Sequence, residues 1–253
     1  MIYFIQQLWS SNEALFYFGL ICMLCGAAFI FLSQVTNIRV MGSNAWFKPA
    51  KFAFSIFLYA WTMAWFTAYL PDFNIVLYNY TVIILLGFEV GYIALQAAKG
   101  QLSHYNVSTP LYAFLYRLMG LAAAMVTLYT AYIAILFLNR DFPGLPGYYL
   151  LSIRVGLVLF VIFSFEGAVM GAKMRHTIGG PDGAPGLPFL NWSKKYGDLR
   201  IAHFVGMHAL QLLPFLSFYL FKNTKLTLAA GLIYSLLAIS ILIQALKGKS
   251  TFK

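Results

Sequence analysis

Ile75-Val-Leu-Tyr-Asn-Tyr-Thr-Val-Ile-Ile-Leu-Leu-Gly-Phe-Glu-Val-Gly-Tyr-Ile-Ala-Leu-Gln-Ala-Ala98 decides the fold. It holds one charged residue, Glu89, and is long enough to cross roughly 30 Å of hydrocarbon at about 1.5 Å of rise per helical residue. Working outward, runs of the same kind lie at 14–34, 50–70, 111–139, 148–172, 201–221 and 226–246. Pro71, Pro110, the Pro143/Pro146 pair and the prolines of 181–188 fall between them, where helix breakers belong. The pattern predicts an all-α integral membrane protein: one domain over residues 1–253, a bundle of about seven transmembrane helices.

Composition agrees. Hydrophobic residues make up 61% of the chain and charged residues 9%, with a mean hydropathy of +0.77, whereas soluble domains carry roughly 25% charge. The net charge of +10 is spread over loops with no polybasic run, which excludes a nucleic-acid partner and points to topology. Cytoplasmic loops retain Lys and Arg, and every loop cation except Arg140, Lys222 and Lys225 falls on one side. The amino terminus is therefore expected outside and the carboxyl terminus in the cytoplasm. A long Gly/Pro-rich cytoplasmic loop at about 173–200 is expected to be a linker or a lid. Cys22 and Cys25 read as small core residues. Arg154, near the outer end of its run, is expected to snorkel to the surface. No internal repeat stands out, and an odd number of spans disfavours a pair of inverted halves, which counts against familiar transporter architectures.

Ionisable groups inside spans carry the chemistry. Counted inward from the cytoplasmic ends, Glu89 lies roughly 15 Å deep, and Arg117, Glu166 and His208 roughly 10–12 Å, with Gln211 slightly deeper. Each costs about 2.5–3.5 kcal/mol in hydrocarbon unless paired, hydrated or neutralised. The bland explanation is a buried ion-pair network in which Arg117 satisfies Glu89 and Glu166. The functional one is a cytoplasm-facing polar cavity. Glu89, Tyr92 and Gln96 share one helix face, and so do His208 and Gln211, whereas His203 and His208 diverge. Pro214 can open its helix near Gln211.

Nearer the rim sit His104, His176 and His203. Were they to converge, they would bind a transition metal, zinc or iron, with Asp198 or a deeper carboxylate as general base. Haem at the rim is a second cofactor to weigh. The expected function is a membrane-embedded, metal-dependent enzyme, a hydrolase or oxidoreductase, acting on a lipid-like or apolar small molecule within membrane lipid. In it Glu89, Arg117, Glu166, Asp198 and His208 are catalytic, Gln96 and Gln211 contact the cofactor, and His104, His176 and His203 hold the metal. The alternatives are a transporter or proton-coupled carrier using the same carboxylates and histidine, and a haem-binding redox protein or structural subunit of a membrane complex.

Asn44-Ala-Trp-Phe-Lys-Pro-Ala-Lys-Phe52, Gln96-Ala-Ala-Lys-Gly-Gln-Leu-Ser-His-Tyr-Asn106, Ser164-Phe-Glu166, His176-Thr-Ile-Gly-Gly-Pro-Asp-Gly183 and Asp198-Leu-Arg-Ile-Ala-His-Phe204 together resemble a group of uncharacterised bacterial multi-span membrane proteins, over most of the chain. The resemblance implies a bacterial cytoplasmic (inner) membrane and brings no activity. In general layout alone, the chain is also similar to metal-dependent alkaline ceramidase and progestin-receptor-like hydrolases.

Overall fold

The computed structural model describes residues 2–252; Lys253, counted above among the loop cations, lies outside them. The chain forms two compact units that divide within one long helix, at Val126/Thr127.

Unit 1 opens with a short helix α1 (Ile2–Ser11) that the apolar runs did not announce, followed by α2 (Glu13–Val35). Asn12 separates them and accepts a hydrogen bond from Leu15 N, satisfying one of the free donors at the start of α2. Its amide also exchanges hydrogen bonds of 2.9 and 2.8 Å with Asn79 of α4 (Ile75–Ala98). A two-residue ladder, β1 (Arg39–Val40) on β2 (Ser43–Asn44), leads into α3 (Phe47–Thr67). Pro49 sits in the first turn of α3, where a missing N–H costs nothing. α2 and α3 pack closely because α2 presents glycines. A Cβ on Gly19 would run into the Trp61 indole, and one on Gly26 would lie 2.8 Å from the far edge of the Phe54 ring. The Trp61 indole N–H donates to Phe16 O at 3.1 Å, which fixes the ring over that glycine.

α5 (Pro110–Asn139) carries the chain from unit 1 into unit 2, which continues with α6 (Gly147–Lys173), α7 (Leu199–Leu216) and α8 (Thr224–Leu246). Between α6 and α7, β3 (Thr177–Ile178) pairs with β4 (Gly197–Asp198). After Pro214, α7 loosens into a π-helical turn, Ser217–Phe221, where Ser217 Oγ donates to Tyr148 O at 2.9 Å and shares a hydrogen bond with Thr227. Arg154 does not snorkel: its guanidinium donates to Phe137 O and Arg140 O, at 2.8 and 3.0 Å. It thereby caps the carbonyls at the end of α5, where helix geometry leaves acceptors unused and a cation is favoured.

Among the described residues six helices, α2, α4, α5, α6, α7 with its π-turn, and α8, are long and apolar enough to cross a membrane. α3 occupies the remaining expected run but is less apolar, with Lys48 and Lys51 in its opening turns and Tyr59, Trp61, Thr62, Trp65 and Thr67 along it. Tyr59, Ala60, Met63, Ala64 and Phe66 are buried against its neighbours, so protein rather than lipid covers much of α3.

Candidate functional site

The site that the geometry builds lies in unit 2, where α6 meets α7. Three glycines bring these helices together: a Cβ on Gly156 would stand 3.0 Å from Ala209 O, one on Gly167 3.1 Å from the His203 ring, and one on Gly206 would collide with Phe163. Glu166 follows Phe163 by three residues and shares its face, while His203 precedes Gly206 by three and shares that one. The close approach therefore presses Glu166 and His203 together.

His203 Nδ1 lies 2.6 Å from Phe163 O and 3.5 Å from Glu166 Oε2. A carbonyl oxygen only accepts, so Nδ1 carries the proton and donates it to Phe163 O; the second ring nitrogen, Nε2, is left as the basic atom. Glu166 is 7% exposed, and neither carboxylate oxygen has a hydrogen-bond partner; Ser164 Oγ, buried two residues earlier, has none either. An ionised carboxylate in that state costs several kcal/mol.

Further along α7, the His208 ring packs on Phe204 at 4.3 Å and Nδ1 donates to Gln211 Oε1 at 3.2 Å. His208, expected to be catalytic, and Gln211, expected to contact a cofactor, thus engage each other, one helical turn apart.

The rim histidines have separate local roles, and the expected histidine cluster is not formed: among the described residues, no three of His, Cys, Asp and Glu gather to hold a metal ion. His104 shares a hydrogen bond with Ser103 and lies against Phe52 and Tyr116. His176 Nδ1 donates to Asp182 Oδ2 at 3.1 Å, and the backbone N–H groups of His176 and Thr177 donate to the same carboxylate at 2.9 and 2.8 Å. Burial by itself would raise Asp182, but the hydrogen bonds from His176 and Thr177, with the imidazole charge, outweigh it and hold this carboxyl far below the usual carboxylate range. Asp198, expected as a general base, is wholly buried as the cap of α7, taking donors from Ser193 N, Arg200 N and the Arg200 guanidinium at 2.6 Å.

The expected lid is pinned as well. Besides the Asp182 clip, Tyr196 bridges to Lys249, and Gly179 packs on Gly248 beyond α8. Hydrogen bonds that the one-dimensional pattern does not display turn a Gly/Pro-rich segment into a folded cap.

In unit 1, Gln96 is wholly buried and donates to the Tyr92 hydroxyl at 2.8 Å, leaving Gln96 Oε1 without a partner. Glu89 is buried on the same face, as the i, i+3, i+7 spacing requires, whereas Arg117 is exposed on α5. Sequence reading named Glu166 and His203 but gave them unrelated tasks. The signal for their partnership was the small residues beside them, Gly167 and Gly206, which license close helix approach. Asp182 was missed, although a Gly-Gly-Pro-Asp-Gly turn is a usual place for a carboxylate that caps backbone donors.

Fold and site together define a helical protein with helices long and apolar enough to cross a membrane, and a buried carboxylate beside a half-buried imidazole. No known protein family, curated protein or solved structure matches the chain.

Proposed function

We propose that this protein is a proton-coupled membrane carrier for a small solute, with Glu166 and His203 as its proton-binding pair. The observation that carries the reading is the carboxylate of Glu166: buried within an apolar helix, unbonded at both oxygens, and 3.5 Å from an imidazole whose second nitrogen is free to take a proton. Intramembrane ionisable groups are costly, and proton relays are among the functions that keep them. The convergence of rim histidines on which a metal-dependent enzyme would rest is absent among the described residues, and the expected linker or lid is tied by the Asp182 hydrogen bonds. In this reading α3 crosses the membrane too, shielded by its neighbours. Seven spans then put the amino terminus outside and the carboxyl terminus in the cytoplasm, as the loop cations direct.

Purified protein reconstituted in liposomes around a pH-sensitive dye provides the test. Wild type is expected to move protons when the right member of a panel of small polar and amphipathic solutes is added outside, and Glu166→Gln to lose that movement at least about tenfold, since the amide cannot take the proton. Solute-driven proton movement that survives in Glu166→Gln, or none from wild type across the panel, would sink the proposal.

A further inference from the structure

Each unit, taken by itself, has the same parts in the same order. A long apolar helix is followed by a two-strand antiparallel ladder, a second helix with a basic first turn, and a third helix that starts on an asparagine cap, Asn74 in one unit and Asn223 in the other. The third helices end on Gln96-Ala-Ala-Lys-Gly-Gln101 and Gln244-Ala-Leu-Lys-Gly-Lys249. Their closing hydrogen bonds match one for one: Lys99 N to Leu95 O, Gly100 N to Ala97 O and Gln101 N to Gln96 O against Lys247 N to Ile243 O, Gly248 N to Ala245 O and Lys249 N to Gln244 O. Both glycines are left-handed, at φ +64° and +72°, as this helix ending demands.

The helix pairs match in register. The second helices begin Phe47-Lys-Pro-Ala-Lys-Phe52 and Leu199-Arg-Ile-Ala-His-Phe204. Gly19 faces Phe57 O and Gly156 faces Ala209 O, with a Cβ at 3.5 and 3.0 Å respectively. One further contact up, seven residues along the first helix and three back along the second in both units, Gly26 meets Phe54 and Phe163 meets Gly206. The large and the small partner have changed sides. Where the ladder touches the third helix, Ala45 and Ala97 share a core cluster, and Gly197 packs on Ala245 at the same two positions. Helix order alone recurs by chance, but shared caps, shared register and a compensated size exchange at one contact do not.

We infer that residues 13–100 and 147–248 are two copies of one three-helix unit, with the functional pair confined to the second copy: at the places of Glu166 and His203, unit 1 carries Phe29 and Lys51. The sequence conceals this because the matching stretches are short and separated by loops of unequal length, 36–46 against 174–198. The assignment of function rests on the proton-carrier reading; the duplication does not. Copy 2 then carries the acid–imidazole pair, which copy 1 lacks.

Reciprocal size exchange tests the duplication on the full chain in detergent. Gly26→Phe and Phe54→Gly are each expected to lower the melting temperature by about 5–10 °C, through overpacking and a cavity, and the double variant to recover most of that loss, because copy 2 already packs in that form. Phe163→Gly with Gly206→Phe should behave likewise. Double variants no more stable than their worse single would overturn the duplication. Proton uptake by the purified protein on a pH step tests the division of labour: it is expected to fall by about one proton per chain in His203→Gln and to be unchanged in Lys51→Met. A loss in Lys51→Met would refute the confinement to copy 2 and leave the size exchange to judge the repeat.

Discussion

Unit 1 and unit 2 close the same junction, between ladder and third helix, with different tightness. In unit 1, Ala45 and Trp46 pack on Ala97, with Phe29 stacked on Trp46 at 5.7 Å between ring centres. In unit 2 the ladder residue is Gly197, and even one methyl group there would strike the Ala245 backbone. The difference extends to the first helix: unit 1 fills the space with an aromatic pair, while unit 2 brings backbones together and leaves a carboxylate facing an imidazole. Close backbone approach brings the two polar groups together, so the tighter unit is the one that holds a carboxylate beside an imidazole.

The sharpest way to break this comparison is to exchange the small residues at the junction. Gly197→Ala is expected to destabilise unit 2 by about 3 kcal/mol or more, because the obstructing atoms are backbone and cannot swing away, while Ala45→Gly should cost unit 1 only about 1 kcal/mol. Thermal melting of the two variants side by side is the measurement, and equal losses would mean that the junctions are equally tight. The next effect concerns a feature of unit 2 alone, the Asp182 clip. Its folded carboxyl is held below its ordinary value, so its contribution is present above the usual carboxylate range and disappears as pH falls through the folded value. Protection of the 174–198 segment from protease should therefore stay constant down to about pH 4 and weaken only in stronger acid. Asp182→Asn should lower protection above that pH, by about 1–3 kcal/mol, and cost progressively less in stronger acid, where the wild-type clip is itself lost. The smallest effect sharpens the likeness: Gly100→Ala and Gly248→Ala should each cost about 1 kcal/mol, and by nearly the same amount, since both remove a left-handed residue from the same helix ending.

Much of the fold was legible from the residues. Ile75–Ala98 was read to its ends, and the other runs fell within a few residues of their helices, because a segment that crosses hydrocarbon must be long, apolar and internally hydrogen-bonded. α1 escaped because a ten-residue helix needs no such length. Of the candidate site, Glu166, His203, His208 and Gln211 were named correctly as polar groups inside or beside spans, but their partners were not. The rim histidines were grouped by side of the membrane, and being on one side is far weaker than being within bonding distance. Asp198 was read as a candidate general base, although an Asp just before a helix is an N-cap signal; that Ser193 N and the Arg200 guanidinium also claim it was not legible locally.

Hydropathy along the chain, by itself, determined that there are helices long and apolar enough to cross a lipid layer and roughly where each begins and ends, because that constraint acts residue by residue on one segment at a time. Which side chains meet was decided only by tertiary structure: by glycines that let α6 and α7 approach until Glu166 and His203 stand 3.5 Å apart, and by a loop that folds on its own aspartate. Contacts between distant residues depend on helix rotation and separation, and neither quantity is written in the composition of any single helix.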